Sequence, residues 1–183
     1  DYVFAHTDYD FNEVDIGFEV FRFEDGLAVE HWDNLQSKPA SLNLSKHSMI
    51  DGSTEVEDVE KTEENRELIR SFVDEVLVNS QLNRLEHFVD PEGYIEHNPL
   101  MADSLSALHE ALASNDRLKS YDRIHRILAE GNFVLCVSEG FLDSIHSSFY
   151  DLFRLADGKI VEHWDTIEAV PNRSKWVNQN GKF

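Results

Sequence analysis

A chain of 183 residues with 36 acidic and 16 basic side chains carries a formal net charge of −20, which disfavours nucleic acids and anionic membranes as partners. The single cysteine, Cys136, excludes a disulfide framework, and its apolar setting in FVLCV marks a buried thiol. No signal peptide is visible and no apolar run reaches the length of a membrane span, so a cytoplasmic location is the expectation.

In chain order, residues 1–36 read as three strands, at 2–9, 15–23 and 27–36, with nothing helical before them. Residues 37–59 are rich in Ser, Pro, Asn, Asp and Gly without periodicity and read as a linker, in which neither His47 nor Met49 is expected to be functional. Thr62 is a candidate N-cap for a helix whose stripe Leu68, Ile69, Phe72, Val73, Val76 and Leu77 is core. Leu82, Leu85 and Phe88 suggest a second short helix closed by Asp90-Pro91.

The segment YIEHNP, residues 94–99, reads as a short strand halted by proline, with Tyr94, Glu96 and Asn98 alternating against Ile95 and His97. Its phenol, imidazole and amide are groups that orient a carbonyl or enolate oxygen. They serve equally well as a polar turn tying helices to a sheet. A third helix is predicted over about 104–113, with Leu105, Leu108 and Leu112 inward, Asp103 as N-cap and His109 outward.

From residue 121 onward the pattern is β, at 122–129, 133–141, 146–155 and 159–169, with His125 and His146 as lone strand histidines at an edge or satisfied locally. Trp176, in the polar tail, is expected to pack back on the body. Helices followed by a four-stranded antiparallel meander give an α+β fold, a curved sheet closing over the helices as a cone with an apolar interior. The outer sheet face, with Tyr150, Leu152, Ile160 and Trp164, needs a cover, either a second subunit or the N-terminal strands.

The hairpin of residues 149–168, FYDLFRLADGKIVEHWDTIE, carries most of the functional argument. Val161, His163, Asp165 and Ile167 share one face of its second strand, and Phe149, Asp151 and Phe153 one face of its first. A three-residue loop Ala156-Asp157-Gly158, with Gly158 left-handed, would bring Asp151 and His163 to the same side; a two-residue turn would separate them. The expectation is three residues. Two carboxylates and an imidazole on a greasy face are either satisfied locally or solvated, or they line a pocket where burial raises a carboxyl pKa into a usable acid/base range. The hairpin has a twin at residues 17–36, GFEVFRFEDGLAVEHWDNLQ, aligned without gaps, in which Glu19, His31 and Asp33 fall on Asp151, His163 and Asp165. Structural motifs duplicate as readily as catalytic ones.

The segments YIEHNPLMAD (94–103), YDLFRLADGKIVEHWDTIE (150–168) and the terminal NQNGKF resemble the SnoaL-like polyketide cyclase family, within the nuclear transport factor 2-like superfamily of α+β cones. The resemblance covers residues 60–183 as a complete domain and 1–36 as the C-terminal half of a second copy, three strands joined to it by the linker 37–59. It implies a cofactor-free pocket inside the cone and frequent dimers. It also implies that Asp165 acts as acid/base in an aldol-type ring closure. The position that is histidine in some cyclases is Asp151 here, and the glycine common after the HNP segment is Ser104. Asn98 or His97 falls where the family places a group that orients substrate.

The expected function is therefore cofactor-free acid/base chemistry, aldol-type cyclisation or isomerisation, on a small apolar or polyketide-like carbonyl compound. Asp165, His163 and Asp151 are its catalytic candidates. Tyr94, His97, Asn98, Phe149 and Phe153 are its substrate-binding candidates. The alternatives are an epoxide-hydrolase-like enzyme and a non-catalytic binding or assembly module. No cofactor or metal is expected, because His163 and Asp165 supply two ligands and spacing fixes no third. The expected assembly is a homodimer or an intramolecular pseudo-dimer through the sheet face.

Overall fold

The computed structural model describes residues 1–10, 14–114 and 119–183. Strands β1 (Tyr2–Asp10), β2 (Val14–Glu24) and β3 (Leu27–Ser37) form an antiparallel sheet in the order β1-β2-β3. The helical layer follows. It consists of α1 (Thr62–Phe72), which widens into π-helical turns over Val73–Val78, then α2 (Leu85–Phe88) behind a short 3-10 turn, and α3 (Leu105–Ala113). The second sheet has the order β4-β8-β7-β6-β5, built from β4 (Ile95–Glu96), β5 (Lys119–Glu130), β6 (Phe133–Leu142), β7 (Ile145–Ala156) and β8 (Lys159–Ala169). The antiparallel meander thus gains a fifth strand, β4, paired parallel to β8 with Glu96 opposite His163. The fold class is α+β, with a further three-stranded sheet at the N-terminus. Among the described residues no helix is long and apolar enough to cross a membrane.

Two apolar layers hold the molecule together. The α1 stripe buries Ile69, Phe72, Val73 and Val76 against Phe153, Leu155 and Ile160 on the concave side of the sheet. On the convex side, Phe18, Val20 and Trp32 of the N-terminal sheet pack on Leu135, Val137, Tyr150, Leu152 and Trp164. This contact is also stitched by hydrogen bonds: Asn34 Nδ2 donates to Thr166 O and Oγ1 at 3.0 and 2.9 Å, and Ile167 N donates to Gln36 Oε1 at 2.9 Å. The outer face is therefore covered by strands of the same chain. Phe183, rather than Trp176, is the tail residue that packs on this layer.

Three expectations are corrected. The β7–β8 turn has two residues, Asp157 and Gly158, both with positive φ (50° and 73°), and Ala156 pairs with Lys159. Asp151 and His163 still share a face because Arg154 pairs with Glu162 while Leu155 pairs with Ile160, leaving Val161 as a bulged extra residue. The bulge also moves Ile160 to the inner core. The β2–β3 hairpin has the same two-residue turn at Asp25-Gly26 and the same bulge, with Val29 as the extra residue between Arg22–Glu30 and Phe23–Ala28. The helix caps also differ. Thr62 is inside α1 and its hydroxyl donates to Val59 O, while α3 is capped by Ser104, whose side chain accepts from Ala107 N, not by Asp103. Residues 38–58 lack regular structure, as their composition predicts, but they are anchored: Asn43 Nδ2 donates to Glu96 O at 2.6 Å and Trp164 Nε1 to Asp51 O at 2.8 Å.

Phe18 is fully buried between the two sheets. Phe18→Ala should lower the free energy of unfolding by about 3 to 5 kcal/mol, read as a shift in the urea midpoint at unchanged slope.

Candidate functional site

The concave side of the second sheet and the helices enclose a cavity of about 340 Å³. Phe72, Leu108 and Ile160 line its apolar end; Tyr94, Asn98, Lys119, Tyr121, Asp151, His163 and Asp165 bring the polar groups. The β7–β8 register places Asp151 opposite Asp165 and Phe153 opposite His163 on the inner face. The parallel pairing of β4 with β8 then aims Glu96 and Asn98 at the same surface, because alternate residues of an extended segment point the same way.

These groups form two linked sets. In the first, His163 sits between two carboxylates: Nδ1 is 3.0 Å from Glu96 Oε1 and Nε2 is 3.2 Å from Asp151 Oδ1. Glu96 also accepts from the Tyr94 hydroxyl at 2.6 Å and from the backbone N–H groups of His97 and Asn98 at 3.0 and 2.9 Å. Asp151 accepts from the Tyr121 hydroxyl at 3.0 Å. Burial alone would lower the His163 pKa, but the Glu96 charge and the hydrogen bonds to Asp151 and Glu96 raise it from 6.5 to about 10. Burial would raise Glu96, yet the His163 charge and the hydrogen bonds from His163 and Tyr94 bring it below the ordinary carboxylate range. The imidazole is therefore held as an imidazolium at neutral pH. Burial pushes the phenols of Tyr94 and Tyr121 well above their usual range, so both stay protonated donors.

The second set is Asp165 with Asn98. Asn98 Nδ2 donates to both carboxylate oxygens, at 2.8 and 2.9 Å, and Lys119 Nζ stands 3.7 Å from Oδ2. Burial raises the Asp165 pKa, with Glu96 and Asp151 adding to the rise; the Lys119 and His163 charges only partly offset it. A buried carboxylate with a raised pKa, facing an apolar cavity, is chemically a proton acceptor.

Asp165, His163, Asp151, Tyr94, Asn98 and Phe153 are thus gathered at one cavity. His97 is not among them. It points to the opposite face of the β4 edge, stacked on Trp164 at 4.6 Å between ring centroids, with Nε2 2.9 Å from Glu162 Oε1. Phe149 shares the face of Asp151 but lies behind Tyr121, their ring centroids 4.6 Å apart, and does not line the cavity. Glu19, His31 and Asp33 of the N-terminal hairpin face away from the second sheet. There His31 pairs with Glu19, and Tyr9 donates to the same carboxylate. Glu96, Lys119 and Tyr121 were not singled out from the sequence. For Glu96 the signal was present, since it alternates in phase with Tyr94 and Asn98. Cys136 is fully buried, and burial pushes its thiol pKa up to about 12, as an inert core residue requires.

The folded chain holds the His163 proton more tightly than the unfolded chain, at about 10 against 6.5. This contribution to stability is complete below pH 6.5, declines above it and is lost above pH 10. Urea midpoints measured across that window should fall with pH in the native protein and fall less in His163→Gln.

Neither a family model nor a curated protein matches the sequence. Solved structures do match in fold. An NTF2-like protein of unknown function from Burkholderia xenovorans LB400 aligns at TM-score 0.54 and 16% identity over 66% of this chain and 99% of that one. A candidate ketosteroid isomerase from Kribbella flavida DSM 17836 aligns at 0.50 and 16%, over 65% and 91%. An NTF2-like protein of unknown function from Cytophaga hutchinsonii ATCC 33406 aligns at 0.50 and 14%, over 64% and 95%. Together with the cavity under the sheet, these matches show that the chain has the α+β cone fold found in nuclear transport factor 2-like proteins.

Proposed function

We propose that the cone binds a small apolar carbonyl compound and catalyses proton transfer on it without a cofactor, in an aldol-type cyclisation or an isomerisation. The observation that carries this reading is Asp165: a carboxylate buried in an apolar cavity, with its pKa raised by that burial and its two oxygens held by one amide. Asp165 would take a proton from the carbon next to the carbonyl. Asn98 fixes the angle of the carboxylate, and the Lys119 ammonium, 3.7 Å away, would balance the negative charge that develops on the substrate oxygen. His163 does not serve as the base, because both ring nitrogens of its imidazolium are protonated and donate, Nδ1 to Glu96 and Nε2 to Asp151. It acts as a fixed positive charge behind the site. The candidate ketosteroid isomerase with the same cone supports this reading at the level of fold. Hydrolysis of an epoxide by the same carboxylates, or ligand binding without chemistry, are the readings that the experiment below separates from it.

The N-terminal strands and the repeated hairpin fit the same proposal. Residues 1–36 act as a half-copy of the domain, linked through residues 37–59 to the complete copy at 60–183. They fill the place that a second subunit's sheet would take on the convex face, an intramolecular pseudo-dimer.

Deuterium wash-in from heavy water at the α-carbon of bulky ketones and β-diketones tests the chemistry. Exchange above the buffer rate in the native protein and its loss in Asp165→Asn, with both folded, is the expected result. Exchange that persists in Asp165→Asn would overturn the assignment of the base. For the native protein, the acidic limb of the rate profile should lie at higher pH than that of an ordinary carboxylate, because the raised pKa of Asp165 keeps it protonated further up the scale.

A further inference from the structure

We propose that His47, Asp51 and His97 form a binding site for a divalent transition-metal cation of the zinc type, on the convex side of the β4 edge and separate from the cavity. One donor atom from each of the three residues lies within 4.8 Å of the others. Two imidazoles and a carboxylate are the donor set that suits zinc, leaving a further position for water or a fourth ligand.

Three features of the surroundings point to a cation there. First, His97 is oriented in the way a metal-binding imidazole is. Its Nε2 is 2.9 Å from the buried Glu162 carboxylate, which is held in turn by Arg154 Nε at 2.6 Å, so Nδ1 is turned towards Asp51 Oδ1 at 2.9 Å. A carboxylate fixing the far nitrogen of a ligand histidine sets the tautomer and increases the basicity of the near one. Second, His47 Nε2 is 3.2 Å from Asp103 Oδ2, so a second carboxylate is available as an orienting group or as the fourth ligand. Third, the site is open on one side. The Asp51 and His47 side chains are 48% and 30% exposed while His97 is fully buried, which gives the ion an entry path and a rigid floor. The net charge of −20 favours cations around the chain as a whole.

Binding has a defined proton balance. Nδ1 of His97, which faces Ser48 O at 2.9 Å as well as Asp51, gives its proton to solvent when the metal takes its lone pair; no redox change is involved. The ion would join residues 47 and 51 of the connecting segment to β4. Asn98, on one side of His97, lines the cavity, and Glu96, on the other, holds His163 at the cavity wall.

The test is calorimetric titration of Zn²⁺ alone into the chelator-stripped full chain, in two buffers of different ionisation enthalpy. One equivalent bound with proton release is expected. His47→Ala, at a half-buried position, and Asp51→Asn, at an exposed one, should abolish this step while leaving circular dichroism unchanged. A second imidazole pair controls for adventitious binding: His125 and His146 flank Glu139 at 3.2 and 3.5 Å, with Arg123 on the same carboxylate. The double variant His125→Ala with His146→Ala should titrate like the native protein. No stoichiometric step in the native chain would overturn the proposal. So would a step that survives His47→Ala and Asp51→Asn, or one that disappears in the control.

Discussion

A positive charge buried between two negative ones organises this molecule. The His163 ring is where β8, β7, β4 and, through Tyr121, β5 meet. Each carboxylate around it is expensive to bury alone and stable only while its partners are in place. Glu96 needs the imidazolium, the Tyr94 hydroxyl and two backbone N–H groups at once. The two-residue strand β4 has little pairing of its own, yet it is fixed at the sheet edge because its glutamate completes this network. The apolar stripe of α1 then closes over a sheet whose polar interior is already satisfied.

The cavity shows how one environment gives carboxylates different tasks. Glu96, ringed by donors, is held ionised below its ordinary range, whereas Asp165, with one amide and a more distant ammonium, is pushed upward by the same burial. The difference lies in the neighbouring charges and donors, the His163 charge first, rather than in depth. A site in which titratable groups are driven apart in this way has a division between structural charge and usable base.

Periodicity made the fold legible. The α1 stripe, the alternating strands and the Asp-Gly turns all report on whole elements, and each is found where the spacing places it. The errors came from single-residue features that periodicity does not encode. A bulge at Val161 compensates for a turn one residue shorter than expected, so Asp151 and His163 meet for a different reason, and Ile160 changes sides. The site was partly legible because Asp151, His163 and Asp165 are close in sequence. Lys119 and Tyr121 join them across long stretches of chain, and no local spacing marks such partners, whereas Glu96 was marked by its alternation with Tyr94 and Asn98. His97 illustrates the converse, since alternation within YIEHNP already put it out of phase with Tyr94 and Asn98.

The cover on the convex face comes from the same polypeptide, through Phe18, Val20, Trp32 and the Asn34 hydrogen bonds. A contact between two chains is governed by mass action and weakens on dilution. A contact within one chain has no dissociation constant. The connecting segment holds the two sheets at a fixed effective concentration, whatever the abundance of the protein. The burial of Tyr150 and Trp164 therefore does not depend on meeting a partner. The sheet that carries His163 and Asp165 is supported on its far side from the moment the chain folds.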